Sequence, residues 1–394
     1  MEIIAEKPEY IHISPNIADT VSAWVRYGAP FNEGRKHCAL LISRLPRITL
    51  AEDEWLRAVR NAIDHACENG SGVISSIGGL GFDYISWYAA RKGLQTVLIF
   101  PPDRTTRFQE AIRKHLADLE LNPDLTTFIM PVTAEKSDKA GKLHLRDRIL
   151  WDLADRIFPI VVRKGGYWFT LLSQRSEQID ADFMVKYPEK PEPSWKSLLD
   201  RLEEQDWGDI LIHWTRGTYD PWPGETQAQY FQALTEAREG NPRDAFASLA
   251  HILDSGILRG EGRMIRGGIP SLSFTELNPV EAVKLIRYRS ALGRWNFEPY
   301  GIALPVNVLE ELGCKPVRYG DKSLYDQLPE DSKPYYQYCG SSEGWKGEKE
   351  WRLIGDIDLN SLKDKIMAIT PTEIEADKLR SITDYQVCSL QCAY

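Results

Sequence analysis

Residues 38–163 alternate between short apolar runs and longer amphipathic segments, and this alternation limits the possible folds more than any other feature. The apolar runs predict buried parallel strands at 38–43, 72–77, 96–100, 127–132 and 158–163. Between them, the pattern predicts helices at 49–67, 84–92, 107–119 and 145–156, the first opened by a Thr49-x-x-Glu52 capping box. This order predicts a Rossmann-like, doubly wound α/β sheet with right-handed crossovers.

A proline-rich segment at 187–193, with the sequence YPEKPEP, separates two halves of different character. Such a segment neither continues a helix nor sits inside a sheet. We therefore predict a first domain at 1–186, a linker at 187–196 and a second domain at 197–394. The pattern of the second half predicts an α+β domain. Its predicted strands lie at 209–214, 271–274, 301–304, 316–319 and 350–355, and its predicted helices lie at 245–258 and 279–292.

Charge and hydropathy narrow the classes of function. The 394 residues carry a formal net charge of −9, which argues against a general nucleic-acid binder but allows a local basic patch. The sequence contains no run of about 18 apolar residues, so no membrane span is predicted. Its first residues are acidic and interrupted by prolines, so no secretory signal is predicted. The six cysteines form no CxxC pair, so no metal site is predicted. We expect a cytoplasmic protein.

A glycine loop with Gly78, Gly79 and Gly81 follows the second predicted strand, and Asp83 comes just after it. Glycines between a strand and a helix let the backbone approach a phosphate, and the amide groups at the helix start favour an anion. The alternative is a tight turn that needs small residues and binds nothing. The context after a parallel strand favours the phosphate interpretation.

Basic residues accompany this loop. Arg146 and Arg148 open the last predicted helix, and the last strand leads into an Arg-Lys-Gly-Gly sequence at 163–166. Guanidinium groups suit phosphates, whereas the alternative is a solvated basic face.

These residues carry a family resemblance over about residues 35–175. The succession of a strand ending in Ser43-Arg44, the glycine loop, the Arg-x-Arg helix and the V-V-x-x-G-G sequence resembles the SLOG superfamily. That group includes DprA-type DNA-processing proteins, cytokinin-activating LOG enzymes and nucleotide-sensing domains of bacterial defence systems. LOG enzymes carry a catalytic Glu after the loop, and residues 84–92 contain none, which favours sensing over hydrolysis. The resemblance implies a nucleotide site formed by Ser43, Arg44, Gly78, Gly79, Gly81, Asp83, Arg146 and Arg148.

The second half contains a His-x-Thr-Arg sequence at 213–216, an LSFTE sequence at 272–276 and an E-x-E pair followed by Trp-Arg at 348–352. Together they resemble the ADP-ribosyltransferase-like fold, including DarT-type DNA-modifying transferases. The resemblance implies NAD as a substrate. It also implies catalytic Glu350 with Glu348 as its orienting neighbour and His213 as a third catalytic residue. The substrate-binding residues it implies are Arg216, Ser271, Ser273 and Tyr300.

Purely structural roles for the same residues stay open. His213 can be a core histidine, Ser271 and Ser273 can be ordinary strand residues, and Glu348 and Glu350 can share a solvated face with Arg352. The functional interpretation requires that these side chains meet in one cleft.

Two classes of function follow. In the first, a nucleotide-sensing domain is coupled to an ADP-ribosyltransferase-like effector with a protein or nucleic-acid acceptor, in bacterial antiviral defence by analogy. In the second, the chain is a non-catalytic nucleotide or single-stranded DNA-binding protein of DprA type. A LOG-type nucleotide glycosidase is a weaker alternative. We expect no membrane partner, and a homo-oligomer is compatible with either class.

Overall fold

The computed structural model of the protein describes residues 9–11, 21–32, 34–100, 108–133, 145–173, 176–190, 202, 206–218, 220–262, 265, 267–339 and 347–391. The chain divides into two compact units. The first contains residues 1–189 and 219–242, and the second contains residues 190–218 and 243–394. The sequence-based division is linear, whereas residues 219–242 belong to the first unit rather than the second. The predicted linker at 187–196 is divided between the two units after residue 189.

The first unit contains most of the long helices. Its elements are β1 (Glu9–Ile11), β2 (Val21–Gly28), β3 (His37–Ile42), α1 (Glu54–Glu68), β4 (Gly72–Ser76), α2 (Leu80–Arg91), β5 (Thr96–Ile99), α3 (Phe108–Asp118), β6 (Thr126–Thr133), α4 (Leu145–Leu153), β7 (Arg156–Val161), α5 (Tyr167–Leu172), a 3₁₀ turn (Ser176–Gln178) and α6 (Gln227–Glu236).

Among the described residues, these strands form one seven-stranded sheet in the order β1-β2-β6-β5-β4-β3-β7. Strands β3 to β7 pair in parallel, whereas β2 pairs antiparallel with β6 and β1 with β2. The chain steps from β3 outward to β6, and α4 then returns it to place β7 beside β3. The switch point of the sheet therefore lies between the carboxyl ends of β3 and β7.

Helices cover both faces of this sheet. On one face, α1, α2, α3 and α6 bury Trp55, Tyr84, Phe108 and Phe231 in a shared apolar core. On the other face, α4 and α5 pack against alternate residues of the same strands. Because successive side chains of a strand point to opposite faces, each buried strand supplies both cores. The predicted Rossmann-like α/β class is confirmed at this level, with two antiparallel strands added at one edge.

Two local predictions for the first unit are wrong. The predicted capping box does not form, because α1 begins at Glu54 and the Asp53 carboxylate instead binds the Arg47 guanidinium and the Leu50 amide. The second helix begins at Leu80 rather than at residue 84, so the last glycine of the loop lies in its first turn.

The second unit is richer in short strands. Its elements are β8 (Ile210–Trp214), α7 (Ala245–Ser255), β9 (Ile257–Leu258), β10 (Ser271–Thr275), α8 (Pro279–Lys284), β11 (Tyr288–Arg289), β12 (Arg294–Trp295), β13 (Gly301–Pro305), α9 (Val306–Glu311), β14 (Lys315–Pro316), β15 (Arg318–Gly320), α10 (Lys322–Gln327), a 3₁₀ helix (Glu330–Tyr335), β16 (Tyr336–Tyr338), β17 (Glu350–Ile354), β18 (Ile357–Asp358), a 3₁₀ helix (Asn360–Lys365), β19 (Met367–Thr370), α11 (Glu373–Arg380) and β20 (Gln386–Ser389).

Its main sheet has the order β14-β17-β10-β8-β13-β19-β20 and is antiparallel except for the pair β19–β20. One face packs under α7 and α11 around Leu211, Phe274 and Leu353. The opposite face packs around Ile212, Ala303 and Ile369. The unit is therefore a mixed α+β domain built on a largely antiparallel sheet.

The predicted helix at 279–292 is wrong beyond its first turns. Helix α8 ends at Lys284, and the chain then forms the antiparallel ribbon β11–β12. The predicted strand at 316–319 is likewise divided between β14 and β15. Within the described ranges, no helix combines the length and apolar character that a membrane crossing requires.

Candidate functional site

The ends of β3 and β7 are tied together at the switch point. The Ser43 amide donates to the Val161 carbonyl at 2.7 Å, and the Arg163 amide donates to Ser43 Oγ at 3.0 Å. Ser43 therefore fixes the spacing of the two segments that leave the sheet here. Arg44 follows Ser43 with its side chain exposed, and its carbonyl accepts a hydrogen bond from the Tyr187 hydroxyl at 2.6 Å.

The segment after β7 displays cationic and aromatic side chains to solvent. Arg163 and Lys164 are exposed, and Tyr167 and Phe169 are 46% and 50% exposed. Between the two aromatic residues, Trp168 is buried and stacks on a tryptophan of α4 with ring centroids 6.2 Å apart. The buried ring anchors the short helix α5 and leaves its two aromatic neighbours turned outward.

The glycine loop has a packing role. Gly78 has a φ of +85°, a conformation that favours glycine. A Cβ on Gly81 would lie 3.1 to 3.2 Å from three side-chain carbons of Ile42, so the start of α2 lies directly against the end of β3. The loop thus places the start of α2 at the carboxyl edge of the sheet.

The Asp83 carboxylate interacts with the backbone of the glycine loop. Backbone hydrogen bonds from Gly78 and Gly79 hold the pKa of this carboxyl down, although burial is the larger effect and raises the pKa to about 7. Two of the amide groups expected to face a phosphate therefore act on the loop's own carboxylate. A carboxylate here repels phosphate whenever it is ionised.

His115 of α3 lies behind Asp83 and was not singled out from the sequence. Its Nε2 is 3.9 Å from Asp83 Oδ1, and neither atom has a hydrogen-bond partner among the described residues. Burial lowers the pKa of His115 to about 4. The spacing of 32 positions between these residues left no sequence signal for the pair.

The two predicted arginines of α4 differ in position. The Arg146 guanidinium lies 4.8 Å from the centre of the Phe82 ring, binds Asp147 at 2.8 Å and approaches the Ile77 carbonyl at 3.5 Å. Arg146 therefore reaches the glycine loop. Arg148 is exposed on the same helix.

In the second unit, Glu350 is held by Arg352 and Ser273. Ser273 Oγ donates to Glu350 Oε1 at 2.7 Å. Arg352 donates to both carboxylate oxygens, from Nε at 2.8 Å and from Nη2 at 3.0 Å. The Arg352 side chain is only 3% exposed and also donates to the Pro334 and Tyr336 carbonyls. Both oxygens of the predicted catalytic carboxylate are thus occupied by a buried guanidinium fork.

His213 lies on the other face of the sheet. The register pairs Ile212 with Thr275 and Thr275 with Glu350, so these side chains share one face with Ser273. The His213 ring instead packs edge-on against Phe274 at 5.8 Å, and its Nδ1 lies 2.8 Å from the Ser273 carbonyl oxygen. Burial lowers its pKa. The side chains of His213, Ser273 and Glu350 therefore do not meet in one cleft, which the functional interpretation requires.

Glu348 and Ser271 border the Ser273–Glu350 pair. Glu348 Oε1 lies 3.3 Å from Arg287 Nη2, and burial raises the pKa of Glu348 against the opposing effect of Arg287. Ser271 is buried, and its Oγ has no hydrogen-bond partner among the described residues.

Tyr300 and Arg216 lie near acidic side chains that were not predicted to be functional. The Tyr300 hydroxyl donates to Glu375 Oε1 at 2.6 Å, and burial raises the pKa of Tyr300. The Gly217 amide donates to Glu298 Oε2 at 2.8 Å, and the Arg216 charge lowers the pKa of Glu298 against the larger raising effect of burial. The described residues hold no group of three or more His, Cys, Asp or Glu side chains arranged for a metal ion.

The parallel sheet, its two helical layers and the tied switch point define the first unit as a Rossmann-like α/β domain. No protein-family model matches the chain, and no curated protein is similar to it. A structure of DNA processing protein A from Helicobacter pylori, solved for the single-stranded DNA binding mode of that protein, is similar at 13% sequence identity and a TM-score of 0.33. The match covers 44% of this chain and 79% of that chain.

Proposed function

We propose that the first unit binds single-stranded nucleic acid at the carboxyl edge of its parallel sheet. The observation that carries this proposal is the display of exposed Arg163 and Lys164 beside exposed Tyr167 and Phe169 at the switch point. Single strands are bound by cationic grooves that follow the phosphates and by aromatic rings on which bases stack. The segment offers both chemistries within seven residues, at the edge where ligands of such sheets bind.

The glycine loop is less suited to bind a nucleotide than the segment after β7 is to bind a single strand. The Gly78 and Gly79 amides act on the Asp83 carboxyl, and Arg146 lies over Phe82. These groups already have partners within the loop region. The segment after β7, in contrast, presents its rings to solvent.

The test is fluorescence anisotropy of a labelled oligothymidylate, titrated with the full chain between 50 and 200 mM salt. Loss of one stacked base costs about 1–3 kcal/mol, so Tyr167→Ala and Phe169→Ala should each weaken binding roughly 5- to 150-fold. Arg163→Gln should reduce the slope of log K against log salt by about 0.7, the value for one lost phosphate contact on a single strand.

Tyr338 is 57% exposed in the second unit, which makes Tyr338→Ala a matched control for the aromatic variants. Its affinity should equal that of the unchanged chain. No saturable binding at 50 mM salt, or equal binding by all three aromatic variants, would contradict the proposal. Competition by a mononucleotide as strong as that by the oligonucleotide would also contradict it, in favour of a nucleotide sensor.

A second proposal is that the second unit acts on NAD as an ADP-ribosyltransferase-like domain. The observation in its favour is the Ser273–Glu350 hydrogen bond beside Glu348. Since Arg352 occupies both oxygens of Glu350, Glu348 is the carboxyl group better placed to meet a substrate. NAD consumption by the full chain, with and without oligonucleotide, tests this, and Glu348→Gln should abolish it. An inert unchanged chain under both conditions would reject the proposal. A role in antiviral defence stays a prediction from the resemblance.

A further inference from the structure

The Asp83 and His115 side chains face each other in the first unit without forming a hydrogen bond. His115 Nε2 lies 3.9 Å from Asp83 Oδ1, which is longer than a hydrogen bond. Both atoms are buried, and neither has a hydrogen-bond partner among the described residues. Because a buried polar atom without a partner costs free energy, a small movement that joins these two atoms is favourable.

The protonation states of the two side chains allow such a bond. Burial raises the pKa of Asp83 to about 7 and lowers that of His115 to about 4. Between these values, the protonated Asp83 carboxyl offers an O–H donor, and a neutral His115 ring with its proton on Nδ1 offers Nε2 as the acceptor. Movement of the carboxyl by about 1 Å toward Nε2 is enough to form the bond.

On its other side, the Asp83 carboxyl interacts with the glycine loop. Backbone hydrogen bonds from Gly78 and Gly79 lower its pKa, so these amides favour the ionised form. Amide groups at the start of a helix are also the groups that bind a phosphate. Gly78 is exposed, and a Cβ on it would meet no atom of the described residues within 4 Å. The space in front of the loop is therefore open.

Two further charged groups act on Asp83 from α3 and α4. The Asp118 charge raises the pKa of Asp83, whereas the Arg146 charge lowers it. Arg146 also binds Asp147 at 2.8 Å, and it keeps its charge throughout the pH range in which Asp83 titrates. With one charge of each sign acting on the loop from these helices, the charge of Asp83 decides whether the loop repels an anion.

We propose that Asp83 and His115 form a proton-operated switch that opens the glycine loop to a phosphate group. In the closed form, the ionised Asp83 carboxylate interacts with the Gly78 and Gly79 amides and repels phosphate. A proton from solvent neutralises Asp83, the carboxyl turns to donate to His115 Nε2, and the two amides become available to phosphate oxygens. One proton is bound for each phosphate that enters a closed loop. The switch lies in the first unit and does not depend on single-strand binding by the segment after β7.

The test is isothermal titration of the full chain with sulfate at pH 6 and pH 8, at one ionic strength. Sulfate is the probe because it keeps both of its charges across this range, whereas phosphate gains charge as pH rises. With the pKa of Asp83 at about 7, about nine chains in ten are open at pH 6 and about one in ten at pH 8, so the apparent affinity should fall roughly tenfold. Titration at pH 8 in two buffers of different ionisation heat should show uptake of about one proton per sulfate.

Three variants separate the switch from a general effect of pH. Asp83→Asn carries a neutral side chain, so it should bind sulfate equally at both pH values and without proton uptake. His115→Phe removes the acceptor and should weaken sulfate binding at pH 6 by roughly 2- to 10-fold, as expected for one hydrogen bond. Asp124→Asn is the matched control, because it removes an exposed carboxylate of the same unit, and it should bind sulfate as the unchanged chain does.

Sulfate binding that is equal or tighter at pH 8, or absent at both pH values, would overturn the proposal. A pH dependence that persists in Asp83→Asn, or unchanged binding in His115→Phe, would overturn it as well. If His115→Phe does not fold, proton uptake by the unchanged chain and its loss in Asp83→Asn decide the question. At pH 6, tighter binding of AMP than of inorganic phosphate identifies a nucleotide as the source of the phosphate, and equal binding identifies free phosphate.

Discussion

Asp83 Oδ1 and His115 Nε2 lie 3.9 Å apart between α2 and α3, each without a hydrogen-bond partner among the described residues. Burial acts on both groups in the direction of the neutral form. It raises the pKa of Asp83 to about 7 and lowers that of His115 to about 4. The pair therefore makes the stability of the first unit depend on pH in two opposite ways.

The folded chain binds more protons at Asp83 than the unfolded chain does between the ordinary pKa of 3.8 and the folded value of about 7. Stability from this group is thus lost as pH rises through that interval. We expect Asp83→Asn to gain stability relative to the unchanged chain on going from pH 5 to pH 8, measured by urea unfolding. Asp124→Asn, at an exposed position, is the matched control, and a difference between Asp83→Asn and the unchanged chain that stays constant with pH would contradict the prediction.

His115 acts in the opposite sense. Its folded pKa of about 4 lies below the ordinary 6.5, so the unfolded chain binds more protons there and stability rises with pH across that interval. His115→Gln should therefore help the folded chain more at pH 4.5 than at pH 7. Urea unfolding at the two pH values measures the difference, and a reversed order would show that His115 is charged in the folded chain.

Gly81→Ala should destabilise the first unit by about 1–2 kcal/mol, because the new methyl overpacks against Ile42. The closest approach would be 3.1 Å, against 3.7 Å to the nearest atom for a methyl on Gly79. Gly79→Ala is therefore the control and should cost less. Adding Ile42→Ala to Gly81→Ala should recover part of the loss in a double-mutant cycle. A Gly81→Ala variant more stable than the unchanged chain would mean that Ile42 moves aside freely.

The first unit was readable from sequence because each buried strand is a short apolar run and each covering helix has one apolar face. β5, for example, was predicted at 96–100 and spans Thr96–Ile99. The ribbon β11–β12 was missed because Pro279 and the apolar residues after it favour a helix. In the structure this helix ends at Lys284, and the chain then pairs Tyr288 with Trp295. The separation of His213 from Glu350 depends on strand register, which only the folded sheet fixes.

Glu350→Gln should destabilise the second unit by about 3–5 kcal/mol, because it leaves the buried Arg352 without its carboxylate. Ser273→Ala removes one hydrogen bond to the same carboxylate and should cost only about 1 kcal/mol. Urea unfolding measures both. A change in NAD consumption by a Glu350 variant is therefore informative only beside its unfolding curve. A Glu350→Gln variant of unchanged stability would show that the Pro334 and Tyr336 carbonyls and Gln337 Oε1 satisfy Arg352.

Phe231→Ala should destabilise the first unit by about 3–5 kcal/mol through loss of a buried aromatic ring. Its ring lies 5.3 Å from that of Tyr84 and 5.7 Å from that of Trp87, both on α2. Hydrogen exchange of the α2 amides should accelerate accordingly. Tyr167→Ala, which removes an exposed ring, should leave exchange unchanged, and protection of α2 that survives Phe231→Ala would contradict the prediction.

The place of residues 219–242 in the first unit has a consequence for how the protein is made. A ribosome releases the chain from its amino end, so Tyr84 and Trp87 emerge long before the Phe231 that covers them. Strand β8 of the second unit is synthesised in the interval between them. The first unit therefore completes its fold only after part of the second unit has been synthesised. A gene fragment that encodes residues 1–189 alone yields a domain that lacks α6.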